Sequence, residues 1–247
     1  MKEIEQWVNK IHCGDVLEVL KRMPDEFVDC IVTSPPYWKL RDYGVKGQIG
    51  LESKLEEYLE KLLAVTAELK RVLKSTGVMF WNHDSNIMKK RNTAQNYRLI
   101  LRMVDEQGWI WRGKGPIIWH KTNCMPSSMR DAFTHVYEPI FMLVKNEKYW
   151  FDLDAVRLPH ASKSFTAVGC RYKKQKGTDK LGKVKGWNFA KSMDVHLLHP
   201  LGKNPGDIWA IPTQPFPEAH FACTDMFTEI LTKNGWKKWD EVTLNDE

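Results

Sequence analysis

The sequence predicts an α/β domain, and three stretches carry that expectation. Val28-Asp29-Cys30-Ile31-Val32 is β-branched and mostly apolar. It reads as a buried strand that stops where Pro35 and Pro36 remove two ladder donors. Leu55, Tyr58, Leu62, Val65, Leu69 and Val72 recur at three- and four-residue steps, the single buried stripe of a helix running to about Lys74. Gly77-Val78-Met79-Phe80-Trp81-Asn82 is a second apolar strand. Strands alternating with helices place the chain in the α/β class.

The elements follow in order. Residues 8 to 14 read as a short strand ending at Gly14-Asp15, with Asp15 placed to cap a helix over roughly 16 to 23. That helix buries Val16, Leu20 and Met23 and ends near Pro24. Ser53-Lys54-Leu55-Glu56 has the pattern of a capping box opening the long helix. Asn82, His83 and Asp84 stand at the carboxyl end of the second strand, His83 as a structural residue. A further helix near 93 to 107 carries Tyr97, Leu101 and Val104 inward, and strands follow at 115 to 121 and 137 to 144. Pro139 within the last of these predicts an edge or a bulge.

Thr33-Ser34-Pro35-Pro36-Tyr37-Trp38 is the stretch that carries chemistry. Ser34 precedes a proline and is therefore pushed to an extended conformation. The result is a rigid shelf at the carboxyl end of a strand, where open α/β sheets hold ligands. It offers a hydroxyl, the Ser34 and Pro35 carbonyls and a flat aromatic ring. Those groups suit gripping an exocyclic amino group and stacking on the base that carries it. An ordinary strand-to-loop turn is the plainer reading of the tetrapeptide alone.

Composition narrows the field. The chain has 247 residues with 43% hydrophobic content, enough for one full domain or one domain plus an insertion. No apolar run approaches the ~18 residues of a membrane span, and the first residues form no secretory signal. Five cysteines at irregular spacing make neither a disulfide framework nor a zinc pattern, so a reducing, cytoplasmic setting is expected. His196 and His199 have metal-like spacing, but nothing around them completes a site, and no metal is expected. Net charge is +6 but uneven: nine cations lie between Lys163 and Lys191 against Asp179 alone, while the segment from Cys223 onward carries −3. A basic body suits a polyanionic partner, although a lysine run is also compatible with a solvated loop. Tyr149, Trp150, Phe151, Phe165, Tyr172, Trp187 and Phe189 are interleaved with the lysines, a mix that suits phosphate contact plus stacking.

Ser34-Pro35-Pro36-Tyr37-Trp38 after an apolar strand, with Gly14-Asp15 upstream and Lys39 to Gly44 and Gln48 to Glu52 downstream, resembles the catalytic motif of amino-methylating DNA methyltransferases. The resemblance covers residues 8 to 222. It implies an S-adenosylmethionine-dependent enzyme acting on double-stranded DNA, with a partial class I methyltransferase (Rossmann-like) sheet in permuted order. The serine form of the motif leans toward cytosine N4, with adenine N6 as the alternative and a non-catalytic DNA-binding or splicing-partner fragment as a third reading. Ser34, Pro35, Pro36 and Tyr37 are then the catalytic residues. Asp15, Thr33 and Phe221 are expected at the cofactor. Arg41, in a loop over 38 to 52 whose glycines permit mobility, and Arg171, Lys173, Lys174 and Lys176 are expected at DNA. Residues 1 to 149 form the catalytic half, 150 to 203 an inserted basic recognition region, and 204 to 222 a return to the cofactor pocket. Trp119-His120-Lys121 and Glu138-Pro139-Ile140-Phe141 flank a polar loop and resemble a family pattern whose loop approaches the target base.

The family's glycine-rich Phe-x-Gly-x-Gly cofactor loop does not occur in the sequence. From Cys223 the chain reads instead Cys-Thr-Asp-Met-Phe-Thr-Glu-Ile-Leu-Thr-Lys-Asn-Gly-Trp, which resembles the first block of an intein. Asn234-Gly235 between two β-prone runs independently predicts a C-terminal β-hairpin. The resemblance makes 223 to 247 the N-terminal fragment of a split intein, with Cys223 as splicing nucleophile. The partner is then a C-terminal half carrying the intein remainder and the glycine-rich loop. An acidic hairpin with a structural cysteine is the alternative.

Overall fold

The computed structural model describes residues 6–160, 199–213, 229–232 and 235–238. The chain divides into two units, 1–150 with 207–247, and 151–206. The first holds a mixed sheet of six strands. In chain order these are β1 (Val28–Thr33), β2 (Leu73–Asn82), β5 (Ile110–Trp111), β6 (Ile117–His120), β7 (Tyr137–Val144) and β8 (Ile208–Ala210). The spatial order is β1-β2-β7-β6-β8, with β5 also paired to β7. β1 runs parallel to β2, β7 is antiparallel to both β2 and β6, and β8 is parallel to β6.

Helix α1 (Val16–Arg22) precedes β1, α2 (Leu55–Val72) joins β1 to β2, and α3 (Gln95–Gln107) follows β2. Leu59, Leu62, Leu63, Leu69 and Val72 of α2 and Leu99, Ile100 and Met103 of α3 share one core with Met79, Trp81, Phe141 and Leu143 of the sheet. Alternation along β7 sends Phe141 and Leu143 into that core and leaves Glu138, Ile140 and Met142 half-buried. Fully burying each such aliphatic side chain contributes about 1.5–3 kcal/mol. Arg71 of α2 fastens α1 by donating to the carbonyls of Leu20 and Met23 at 2.7 and 2.9 Å. Helix α3 ends at Gly108, whose φ of +67° allows the amides of Gly108 and Trp109 to close on Val104 and Met103.

Several expectations need correction. Residues 8 to 14 form no strand; the segment is exposed and has no ladder partner among the described residues. β1 is not buried: Asp29, Cys30 and Val32 are exposed, Val32 at 77%, and among the described residues β1 is an edge strand paired with β2 alone. Val16 is exposed, while Leu20 is buried and Met23 partly so. The capping box does not close. Lys54 holds the N-cap position without a side-chain bond, and the Ser53 hydroxyl turns to Glu57 at 3.0 Å. Helix α3 buries Gln95, Asn96, Leu99, Ile100 and Met103, whereas Tyr97 and Leu101 are exposed. Pro139 lies in an interior strand in unbroken register with Ile118. Its carbonyl accepts from the His83 amide at 3.3 Å, so the side lacking a donor faces the point where the β2 ladder has already ended.

Three smaller pieces complete the described residues, the first an antiparallel hairpin of β3 (Ile87–Met88) and β4 (Arg91–Asn92). β9 (Glu229–Thr232) and β10 (Gly235–Lys238) pair antiparallel, the hairpin that Asn234-Gly235 predicts. In the second unit the short helix α4 (Leu153–Val156) leads into a bridge between Leu158 and Lys203. No helix among the described residues is long and apolar enough to cross a membrane.

Candidate active site

Residues of four strands meet at one end of the sheet. β1 delivers Ser34 to Tyr37, β2 delivers Asn82 and His83, β6 delivers Lys121, and β7, running the other way, delivers Glu138 with its first residues. Pro35 is buried, while Ser34 and Tyr37 are half-buried, so the shelf stays open beside its hydroxyl and its ring.

The underside of the shelf is braced by side chains. The Tyr58 hydroxyl donates to the Pro36 carbonyl at 2.9 Å and lies 2.9 Å from His83 Nε2. The single phenolic proton is used on Pro36, so Nε2 carries its own proton and donates to the Tyr58 oxygen. His83 is fully buried, and burial drives its pKa down to about 3, keeping the ring neutral. Its Nδ1 has no partner. The buried Trp38 indole donates to the Glu52 carbonyl at 2.9 Å. The Glu52 carboxylate accepts the Gly50 amide at 2.8 Å and pairs with Lys61 at 2.8 Å. The Gly50 carbonyl in turn accepts Lys39 N–H at 2.6 Å. Gly50 has φ +108°, and a Cβ there would lie 3.2 Å from the Tyr37 carbonyl oxygen, so only glycine passes so close beneath the shelf.

The exposed side is polar and organised by Glu138. One carboxylate oxygen accepts from the Tyr37 phenol at 3.1 Å and from Asn82 Nδ2 at 2.9 Å, while the other pairs with Lys121. Burial alone would raise the Glu138 pKa; the bonds from Lys121 and Asn82 and the lysine's charge outweigh it and hold the carboxyl below its usual range. Burial, reinforced by the Glu138 charge, pushes the Tyr37 pKa well up, so the phenol remains a donor, with the Ser34 hydroxyl as a second hydrogen-bond partner. The His83 ring lies 5.2 Å behind the Tyr37 ring. The aromatic plate is therefore fixed at its hydroxyl and backed by the imidazole.

This shelf, built on Ser-Pro-Pro-Tyr, stands within a larger likeness: a family model described as DNA methylase matches residues 28–239. The chain belongs to the DNA methylase family. The type II methyltransferase M.SfiI of Streptomyces fimbriatus is 36% identical over 167 residues, covering 61% of this chain and 39% of that one. M.Cfr9I of Citrobacter freundii is 33% identical over 238 residues, covering 85% and 66%. Among solved structures, the PvuII DNA methyltransferase (cytosine-N4-specific) is 22% identical over 59% of this chain and 52% of that one, with a TM-score of 0.49. The chain spans less than two thirds of the length of these relatives. The family match runs past Cys223.

Of the methylase residues named from sequence, Ser34, Pro35, Pro36 and Tyr37 lie together on the shelf, and Thr33 ends β1 opposite Trp81. Asp15 caps α1: its Oδ1 accepts from the amides of Leu17 and Glu18 at 3.0 and 3.2 Å. Arg41 is exposed in the 38 to 52 loop, which is cross-braced by Gln48 bonding to Arg41 O and Tyr43 N at 2.8 and 2.7 Å. Phe221, Arg171, Lys173, Lys174, Lys176 and Cys223 lie outside the described residues. Sequence reasoning gave no role in the site to Glu138, Lys121 or Glu52, and read Tyr58 only as part of a buried helix stripe. Lys121 and Glu138 stood in a quoted pattern, but nothing local shows that they close on Tyr37.

Proposed function

We propose that this chain is the catalytic portion of an S-adenosylmethionine-dependent DNA methyltransferase that methylates cytosine N4, with adenine N6 as the alternative acceptor. The observation that carries the reading is the half-buried Ser34–Tyr37 shelf with its phenol anchored on Glu138. A base flipped from the duplex stacks on Tyr37. Its amino group donates to the Ser34 hydroxyl and the Ser34 and Pro35 carbonyls, which aims the nitrogen lone pair. That lone pair would form the new N–C bond as the donor's S–CH3 bond breaks and its electron pair stays on sulfur, with S-adenosylhomocysteine leaving and the nitrogen releasing one proton to solvent. S-adenosylmethionine supplies the electrophilic methyl group when bound. Orientation carries most of the rate, and no covalent enzyme intermediate is required.

Asp15 fits the methyl donor. It is exposed, and the cap uses only Oδ1, leaving Oδ2 for a hydroxyl or amine. Thr33 is the last residue of the strand that leads into the shelf, and Phe221 completes the set by resemblance. Arg41, Arg171, Lys173, Lys174 and Lys176 face DNA in this reading, with 150 to 203 as the recognition region in a permuted methyltransferase sheet. The segment from Cys223 is the N-terminal part of a split intein, supported by its intein-like block, the β9–β10 hairpin and the charge reversal there. The enzyme works in the cytoplasm on double-stranded DNA after joining a C-terminal half that brings the glycine-rich loop.

The test is product analysis. The chain, alone and joined to such a half, is incubated with labelled S-adenosylmethionine and unmodified DNA, and the nucleosides are resolved by mass spectrometry. The expected product is N4-methylcytosine, from the joined protein only. N6-methyladenine would move the acceptor to adenine, and no methylated base from the joined protein would reject the reading. Robust turnover by the chain alone would reject the split. Mass spectrometry of the protein from its natural host checks the junction, where Ala222 should be followed by a segment encoded elsewhere.

A further inference from the structure

The element with the least economical backbone is the hairpin of β3 (Ile87–Met88) and β4 (Arg91–Asn92). Ile87 pairs with Asn92 and Met88 with Arg91, so the turn consists of Lys89 and Lys90 alone. Both have positive φ, +48° and +63°. Such a primed turn favours Asn-Gly, and a side chain with a Cβ is disfavoured in the left-handed region. The strained turn presents three successive exposed cations, Lys89, Lys90 and Arg91. Lys90 pairs with Asp131 at 2.8 Å, an exposed pair worth little. Lys89 and Arg91 have no ion-pair partner among the described residues.

The foot of the hairpin is tied to the catalytic shelf. Asn86 donates from Nδ2 to the Trp38 carbonyl at 3.1 Å, and the Thr93 amide donates to the Asn86 carbonyl at 2.9 Å. Met88 packs against the core. The backbone that carries the cations is therefore tied to the residue that follows Tyr37. Strain retained at an exposed position is a mark of function, and exposed lysine and arginine side chains on a braced hairpin suit backbone phosphates.

We propose that the β3–β4 turn is a phosphate grip on double-stranded DNA, with Lys89 and Arg91 each neutralising one phosphate near the base that enters the shelf. The proposal rests on the DNA methyltransferase reading above. It is tested by binding of the full chain to a short fluorescent duplex over a range of KCl concentrations. Lys89→Asn suits the turn better, so its thermal midpoint should hold or rise while the slope of log K against log salt falls by about 1. Arg91→Gln leaves the turn residues untouched and should remove a similar amount, and the double variant about 2. Unchanged slopes in both single variants, or no duplex binding by the unaltered chain, would overturn the grip. The two readings fail separately. Methylation by the joined enzyme with unaltered slopes in the variants removes only the grip. Hairpin-dependent binding without any methylated base removes only the catalytic reading.

Discussion

Acidification should unlock the shelf through His83, and the size of the effect follows from burial. The imidazole has a folded pKa of about 3 against 6.5 when unperturbed. The unfolded chain therefore binds the proton more readily. The neutral ring's stabilisation is complete above the unfolded pKa and is lost as pH falls toward the folded one. Between pH 7.5 and 5.0 the loss is about 2 kcal/mol, and any folded pKa well below 5 gives nearly the same figure. With a urea slope of about 1–3 kcal/mol/M, that is a midpoint shift of roughly 1 M. The assay is urea unfolding of the wild type and His83→Gln at the two pH values. Glutamine offers a donor to Tyr58 without titrating, and all other groups cancel in the difference. The wild type should lose about 2 kcal/mol more than the variant on acidification. Equal losses in the two proteins would refute the claim that a neutral, buried His83 supports the shelf.

Four further outcomes follow from the same geometry. Tyr58→Phe leaves the Pro36 carbonyl and His83 Nε2–H without partners and should cost about 1–3 kcal/mol for each group left unsatisfied, read by thermal unfolding. Gly50→Ala meets the Tyr37 carbonyl at 3.2 Å with φ at +108°, and should lower both the thermal midpoint and the turnover of the joined enzyme. Glu138→Gln should cost about 1.5–3 kcal/mol at neutral pH. Because the folded Glu138 pKa is depressed, that difference should be present above the ordinary carboxylate pKa and shrink as pH falls through the folded value. Ser34→Ala should mainly lower kcat, whereas Tyr37→Ala should lower kcat and weaken base binding; normal kinetics in both joined variants would exclude the shelf as the catalytic site.

What could be read in advance was the part determined by near neighbours. Two prolines after a β-branched run terminate a strand wherever it sits, so the shelf was visible from residues 28 to 38. The stripe of α2 was visible because its inner face is apolar from Tyr58 to Val72. The phase of α3 was misread because its first inward residues are polar: Gln95 donates to the Asp84 carbonyl at 3.0 Å, and Asn96 accepts from Ser85 at 2.6 Å. Following only the apolar residues selected Tyr97 and Leu101, which are exposed. Glu138 escaped for a different reason. It lies 101 residues from the tyrosine it holds, and only the antiparallel course of β7 brings its first turn of sequence to the end where β1 and β2 finish.

The origin of the shelf's stiffness bears on what a strand added at the sheet edge would change. Residues 36 to 39 are held by Tyr58 from α2, by Gly50 and Glu52, by Asn86 after β2, and by Glu138 from β7. Every one of these bonds comes from within or from the β2 side of the sheet, and none crosses the outer edge of β1, which carries exposed Asp29, Cys30 and Val32. A strand added at that edge would satisfy ladder groups of β1 without touching any bond that fixes the Tyr37 ring. The base platform is thus assembled independently of whatever covers that edge. In the proposed mechanism, a joining segment then completes the methyl donor's site begun by Asp15 and Thr33 and leaves the nucleobase site as it stands here.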